Sequence, residues 1–192
     1  MADRRIERTR EMVFTALTGL LSEKSIMKIT VTELCDIANI NKSTFYLHFR
    51  SIDDCHEQWK ELVFSIIKER ANGLTYYNLY KKKDVLVRIL TDFFANNYDL
   101  LVKAKESDFG GEIQFLFIDS LSKCISDNSG FDSEINAKEI FILNYIISGA
   151  VYACFNRIPV FDKEKATALL SNLFDFLNFL KREHEGKYDG NN

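Results

Sequence analysis

The chain of 192 residues contains one proline and only eight glycines. An all-β sandwich or barrel needs many more turn residues, because each short strand must end in a tight turn. This scarcity therefore favours long helices. Hydrophobic residues make up 46% of the chain and charged residues 28%, which is typical of a folded domain and excludes low-complexity disorder over most of its length.

Apolar residues recur at helical spacing in several segments, and polar clusters separate those segments. Thr30, Asn41, Ser51 and Asp162 each have the side chain of a helix N-cap, and Asn39 suits a turn with positive φ. The pattern predicts an all-α chain with a linker over residues 71–80. The predicted helices cover residues 5–23, 31–38, 42–48, 52–70, 81–105, 112–126, 133–157 and 163–185.

The residue types that catalysis or metal binding would need are scattered. The four cysteines, Cys35, Cys55, Cys124 and Cys154, form no CxxC pair, and the three histidines are also far apart. G-x-S-x-G, Walker and H-E-x-x-H motifs are absent from the sequence. We therefore expect neither an enzyme nor a bound metal or cofactor.

The location that the sequence predicts is the cytoplasm. Isolated cysteines are typical of reduced thiols, and the N-terminal residues have no apolar signal core behind their charges. No run of 18 apolar residues is present, so no membrane partner is expected. The net charge is −3, but residues 1–50 carry eight basic and six acidic residues, which indicates a mildly basic head on an acidic body.

Residues 5–49 have the pattern of a helix-turn-helix, in which three short helices include a tight turn at Asn39. The third helix must offer a polar face to the DNA major groove while its other face is anchored. Phe45 and Phe49 would be the anchors. The alternative reading is a polar surface helix with two aromatic anchors. The predicted polar face consists of Lys42, Ser43, Thr44, Tyr46 and His48.

Residues 30–51, TVTELCDIANINKSTFYLHFRS, resemble the signature of the TetR/AcrR (tetracycline-repressor) family of transcriptional regulators. Two departures concern the DNA contacts: Ser43 stands where the family has a glycine, and Ile52 where it commonly has a lysine. The matching residues are Thr30, Leu34, Ala38, Ile40, Lys42, Thr44, Phe45, Tyr46, His48, Phe49 and Ser51.

The resemblance implies an N-terminal three-helix bundle with a helix-turn-helix, followed by a larger helical domain for ligand binding and dimerisation. The implied division is a DNA-binding domain over 1–50, an effector-binding and dimerisation domain over 51–186, and a disordered tail over 187–192. The implied function is that of a repressor, which binds a palindromic operator as a homodimer and is released by a small apolar or aromatic effector. The expected DNA-binding residues are Thr30, Lys42, Ser43, Thr44, Tyr46 and His48.

The last two predicted helices are apolar around nearly their whole circumference, so each must be covered on two sides. We expect one side to face the core and the other a second copy of the chain, as the resemblance also implies. The alternative is a monomer with a fully buried hairpin. The predicted interface residues are Gly149, Ala153, Leu169, Leu173, Phe176 and Leu180.

Aromatic residues of the middle helices could line an effector pocket, although aromatic residues at helical spacing also form ordinary cores. Two other functions stay open on the sequence: a helical protein-interaction module, and a regulator controlled by a protein co-regulator instead of a small molecule. The candidate pocket residues are Trp59, Phe64, Phe93, Phe94, Tyr98, Phe115, Phe117, Tyr145 and Tyr152.

Overall fold

The computed structural model describes residues 2–105, 107–156 and 161–188, with side chains for 4–105, 107, 109–156 and 161–179. Over these ranges the chain forms nine α-helices and no β-strand, which confirms the all-α prediction. The chain divides into two compact units. The first unit consists of Met1–Ile66 and Tyr98–Phe117, and the second unit of Ile67–Asn97 and Ile118–Asn192.

The first unit begins with three helices, of which the second packs against both others. They are α1 (Ala2–Leu21), α2 (Val31–Ile37) and α3 (Lys42–His48), and a 3-10 turn over Ile26–Lys28 precedes α2. Apolar residues recur at helical spacing along one side of α1, and this side is buried in the core of the bundle. The buried residues of that face include Val13, Phe14, Leu17, Leu20 and Leu21.

The predicted caps of α2 and α3 are confirmed. Thr30 Oγ1 accepts a hydrogen bond from the backbone N–H of Glu33 at 3.2 Å. Asn41 Oδ1 accepts one from the backbone N–H of Thr44 at 2.7 Å. The Glu33 carboxylate forms an ion pair with Lys24, so this side chain ties α2 to the segment that follows α1.

Helix α4 (Ile52–Arg70) also begins at its predicted cap. Ser51 Oγ accepts a hydrogen bond from the backbone N–H of Asp54 at 3.1 Å. Asp54 Oδ2 in turn accepts one from the backbone N–H of Arg50 at 2.7 Å, which is the main reason that the pKa of Asp54 lies below its usual value. These reciprocal bonds fix the connection between α3 and α4.

The single helix predicted over 81–105 is wrong, because the chain forms α5 (Lys83–Asn96) and α6 (Tyr98–Ala104) there. Asn97 lies between them with φ −115° and ψ 20°. Its Nδ2 donates a hydrogen bond to the carbonyl of Phe93 at 2.7 Å. A short amide side chain that competes for a backbone carbonyl can interrupt a helix without proline or glycine.

Helix α7 (Asp108–Ser129) begins before the predicted residue 112, so the gap predicted between residues 105 and 112 is confined to the residues between Ala104 and Asp108. Gly110 packs against the preceding helix end. A Cβ atom at this position would lie 2.4 Å from the carbonyl oxygen of Ala104, so only glycine fits there.

The second unit contains α5, α8 (Ala137–Asn156) and α9 (Lys163–Tyr188), and α5 packs against both other helices. Phe94 of α5 is fully buried and contacts the rings of Phe155 and Phe161. Two ion pairs, Lys83–Asp175 and Lys163–Asp92, connect α5 to α9. The predicted linker contains a 3-10 turn over Tyr76–Asn78.

Helix α9 begins at its predicted cap, where Asp162 Oδ1 accepts a hydrogen bond from the backbone N–H of Lys165 at 2.9 Å. It continues to Tyr188, beyond the predicted end at residue 185. The three added residues are Gly186, Lys187 and Tyr188, and helix propensity does not account for the extension, because glycine is a poor helix former. The first two residues of the tail expected at 187–192 are therefore helical, and 189–192 lie outside the described residues.

Candidate nucleic-acid interface

Helix α3 is anchored to the first unit through one aromatic face. Phe45 and Phe49 are buried, and their ring centroids lie 5.2 Å apart. Phe49 also contacts Phe14 of α1 at 5.7 Å between centroids. The Arg10 guanidinium lies over the rings of Phe14 and Phe49, and its Nη1 donates a hydrogen bond to Gln58 at 2.7 Å. These contacts fix the position of α3 on α1 and α4.

The turn between α2 and α3 has the backbone conformation that the sequence predicts. Asn39 has φ +52°, which asparagine tolerates better than most residues. The backbone N–H of Ile40 donates to the carbonyl of Cys35 at 3.0 Å and closes the end of α2. The tight turn sets the direction in which α3 leaves α2.

The polar residues of α3 are accessible to solvent. Lys42, Ser43 and Tyr46 are exposed, with Tyr46 at 58%, while Thr44 and His48 are half-buried. Thr30 is exposed at the start of α2. All six residues predicted to bind DNA therefore have some surface that a ligand can reach.

Sequence reasoning missed Leu47, whose side chain is 82% exposed on the same helix. Leu47 is absent from the polar face that the sequence predicts. Helical geometry carried a signal, because residues advance by about 100° around the axis and Leu47 lies about 160° from Phe45. The anchor at Phe45 therefore predicts that Leu47 points outward.

Ser43, one of the two departures from the family pattern, contributes to the helix cap. Its Oγ donates a hydrogen bond to Asn41 Oδ1 at 2.7 Å, and the same oxygen accepts from the backbone of Thr44. The hydroxyl of Ser43 retains its acceptor capacity toward a ligand, while its hydrogen is already used.

The nine candidate pocket residues are divided between the two units. Trp59 and Phe117 are buried in the first unit, where Trp59 packs against His56 and Phe109. Phe94 is buried in the second unit. Phe64, Phe93 and Tyr98 are half-buried, and Phe115, Tyr145 and Tyr152 are exposed.

A cavity of about 300 Å³ in the second unit is lined by other residues. Its walls are mainly apolar, with one acidic and one basic side chain at the start of α9. None of the nine candidate residues lines it, so the effector pocket stays a prediction. The lining residues are Ala153, Cys154, Phe161, Asp162, Lys165, Ala166, Leu169 and Leu170.

The residues predicted to form a dimer interface lie on α8 and α9. Gly149 and Ala153 are exposed on α8, and Leu169, Leu173 and Phe176 on α9. The side chain of Leu180 lies outside the described residues. Further large apolar side chains on the two helices are also exposed, namely Phe141, Tyr145, Tyr152 and Phe179.

No protein-family model and no curated protein matches this sequence, but solved structures match its fold. The dihydroxyacetone kinase operon activator DhaS matches over 86% of this chain and 93% of its own, with 19% identity and a TM-score of 0.57. A TetR transcriptional regulator from Streptococcus agalactiae matches over 90% of this chain and 97% of its own, with 19% identity and a TM-score of 0.55.

The chain has the TetR fold. The likeness extends over most of the chain, whereas the sequence motif covers only residues 30–51. The first of these two solved structures is described as an operon activator, and the second as a transcriptional regulator. Among the residues that the structure describes, no group of three or more His, Cys, Asp or Glu side chains could hold a metal ion.

Proposed function

We propose that this chain is a sequence-specific DNA-binding transcriptional regulator whose α3 enters the major groove. The observation that carries the proposal is the division of α3 into two faces. Phe45 and Phe49 hold one face in the core. Ser43 is exposed on the opposite face, and Lys42 and Tyr46 are also exposed. A helix that reads DNA needs this rigid support together with a free polar face. The TetR fold, matched over 90% of the chain, agrees with this use of α3.

Each polar residue has a role that fits its position. Lys42 lies in the first turn of α3, where its ammonium group can reach a phosphate or a guanine edge. Thr44 and Ser43 can accept hydrogen bonds from base edges, and Tyr46 and His48 would donate to phosphates. Thr30 Oγ1 accepts from the α2 backbone, which leaves its hydroxyl hydrogen for a phosphate oxygen.

The proposed regulator is a homodimer formed through α8 and α9. Apolar side chains such as Phe141 and Tyr145 on α8, and Leu169 and Phe176 on α9, are exposed in the single chain. Large apolar patches of this kind mark interaction surfaces. A two-fold dimer would present two copies of α3 to the two half-sites of a palindrome.

Helix α8 is also long and apolar enough to cross a membrane, judged by its 20 residues and mean hydropathy of 1.3. Core helices of soluble proteins share these properties. Its residues Leu143, Ile147 and Val151 are buried in the second unit, and the opposite side is the proposed dimer face. We therefore assign α8 to a cytoplasmic dimer.

The proposed regulation is repression that a small apolar or aromatic effector relieves. A specific observation favours a second candidate, control by a protein co-regulator. Phe115, one of the nine candidate pocket residues, is exposed on α7, outside the proposed dimer face, and is therefore available to another protein. DhaS, which shares the fold, is described as an activator, so a promoter reporter assay should measure both directions of control.

The test is the selection of duplexes from a random DNA pool by the purified chain at two salt concentrations. We expect enrichment of a palindrome whose affinity falls steeply with salt, because phosphate contacts release counterions. Lys42→Ala should weaken binding and reduce the salt dependence, and Tyr46→Phe should weaken binding by removing the phosphate contact. Lys81→Ala is the matched control, because Lys81 is an exposed lysine outside α3.

The outcomes separate the candidate functions. Enrichment of a palindrome supports a dimeric regulator and supplies the operator for an effector screen. If folded protein enriches no sequence at either salt concentration, DNA binding is overturned and a protein-interaction module becomes the better explanation. Unchanged affinity of both Lys42→Ala and Tyr46→Phe would overturn the assigned contacts.

A further inference from the structure

Leu47 is an apolar side chain in the centre of the proposed DNA-binding face. Its neighbours Tyr46 and His48 are polar or amphipathic, yet Leu47 is 82% exposed. An exposed leucine of this kind contributes little to the stability of the free chain, because it buries almost no apolar surface. A contribution of Leu47 is therefore expected in a complex, where a bound partner would cover it.

The geometry of α3 points Leu47 away from the bundle. Phe45 is fully buried, and Leu47 lies about 160° around the helix axis from it. Ser43 lies one turn before Leu47, so the two side chains share the outermost strip of the helix. If α3 enters the major groove, this strip faces the base edges.

The two residues of the strip differ in chemistry. Ser43 has already used its hydroxyl hydrogen in the bond to Asn41. Leu47 has no polar group, so its favourable contact in the groove must be apolar. The major groove offers one apolar group, the 5-methyl group of thymine, which is absent from the other three bases.

We propose that Leu47 reads a thymine in each half-site through contact with the 5-methyl group. This inference rests on the proposed function, since it requires that α3 binds DNA. It adds a specificity determinant to the polar contacts of Lys42 and Thr44. A cytosine, adenine or guanine at the same position would present a polar edge to the leucine and would be disfavoured.

The test uses the duplex enriched from the random pool, with each thymine replaced in turn by deoxyuridine. This replacement removes one methyl group and leaves every hydrogen-bonding group of the base unchanged. At one thymine per half-site, we expect the replacement to weaken binding by the unmodified chain about fourfold. This factor corresponds to the loss of one buried group of methyl size. For Leu47→Ala, the thymine and deoxyuridine duplexes should bind equally well.

Two control variants accompany Leu47→Ala. Ile135→Ala removes the same number of carbon atoms from another side chain that is 82% exposed, outside the helix-turn-helix, and should keep the fourfold difference. Lys42→Ala should weaken binding of the thymine and deoxyuridine duplexes by the same factor. Thermal unfolding followed by circular dichroism checks that Leu47→Ala is folded, as expected for alanine in an exposed helix position.

The outcomes distinguish this inference from the function on which it rests. If the folded chain enriches no duplex, DNA binding fails and the reading of thymine fails with it. If the duplex is bound but no deoxyuridine replacement weakens binding, Leu47 reads no methyl group. The same conclusion holds if a deoxyuridine replacement weakens binding by Leu47→Ala as much as it weakens binding by the unmodified chain. In both latter cases DNA binding itself stands.

Discussion

The Nε2 atom of His56 lies 2.8 Å from Oε1 of Glu112, and this contact joins α4 to α7 within the first unit. The imidazole is buried and stacks on Trp59 at 5.7 Å between ring centroids, while the carboxylate is partly open to solvent. His56 lies in the second turn of α4, the helix that directly follows α3. The contact therefore helps to position α4, which adjoins the proposed DNA-binding face.

Loss of this contact should destabilise the first unit. We expect His56→Ala to lower the free energy of unfolding by about 2 kcal/mol, because it removes the stacking and leaves a cavity. Glu112→Gln should cost about 0.5–1 kcal/mol, since solvent screens the partly exposed carboxylate. Urea unfolding of both single variants and the double variant gives the coupling energy. A coupling near zero would show that the two side chains are neighbours without an energetic interaction.

Adjacent glycines in α7 should respond to alanine in opposite directions. Gly110→Ala places a Cβ 2.4 Å from the Ala104 carbonyl oxygen, which is backbone and must shift, so we expect a loss of about 2–3 kcal/mol. Gly111→Ala meets nothing within 4 Å and should stabilise the helix by about 0.5–1 kcal/mol. Denaturant unfolding of the two variants checks both signs. Equal effects would contradict the close approach of Gly110 to Ala104.

The buried thiols should be unreactive in the folded chain. Burial raises the pKa of Cys55 from 9.0 to about 12 and that of Cys154 to about 11, so neither forms the reactive thiolate at pH 8. Thiol titration with a disulfide reagent should show slow reaction of these two residues until denaturant is added. The number of thiols that react rapidly should be the same in Cys55→Ser and in the unmodified chain. One fewer rapidly reacting thiol in the variant would contradict the prediction, because it would show that Cys55 is accessible.

The same raised pKa values predict how stability depends on high pH. A thiol that ionises near pH 9 when unfolded, but only near pH 12 when folded, favours the native state fully below pH 9. That contribution is lost progressively as the pH rises from 9 toward 12. Cys55→Ser, which removes this titrating thiol, should lose stability less steeply in urea unfolding measured between pH 8 and 10.

A charge on the exposed face of α9 should separate the proposed dimer. Phe176→Glu would place a carboxylate in the apolar interface, where its desolvation is costly, and we expect monomers at micromolar concentration. Light scattering after size-exclusion chromatography gives the mass directly. Ile135→Glu is the control, because it adds the same charge to an exposed apolar position outside α9. A chain that is monomeric before any substitution would contradict the assignment of the face.

The local elements of the helix-turn-helix could be predicted because short polar side chains determine them. Thr30, Asn41 and Ser51 each cap a helix through a bond that spans three residues, and Asn39 takes the positive φ of the turn. Such interactions lie within a few residues of sequence and need no knowledge of tertiary packing.

Features that depend on distant packing could not be predicted. The break at Asn97 has no proline or glycine to mark it, and residues 98–117 belong to the same compact unit as the N-terminal helices. The candidate pocket residues share helical spacing, yet packing buries Trp59 and leaves Phe115 exposed. Periodicity shows which residues can lie on one face of a helix, but it does not show which other helix, if any, packs against that face.

The exposed apolar faces of α8 and α9 make the fate of the proposed regulator depend on its own concentration. If dimerisation covers these faces as proposed, an unpaired chain exposes an apolar surface, which makes it prone to aggregation and degradation. At low expression the population of pairs falls more steeply than the number of chains, because each pair needs two of them. If the chain is the proposed dimeric regulator, halving its production would therefore lower operator occupancy by more than half whenever its concentration lies below the dissociation constants of the pair and of the operator.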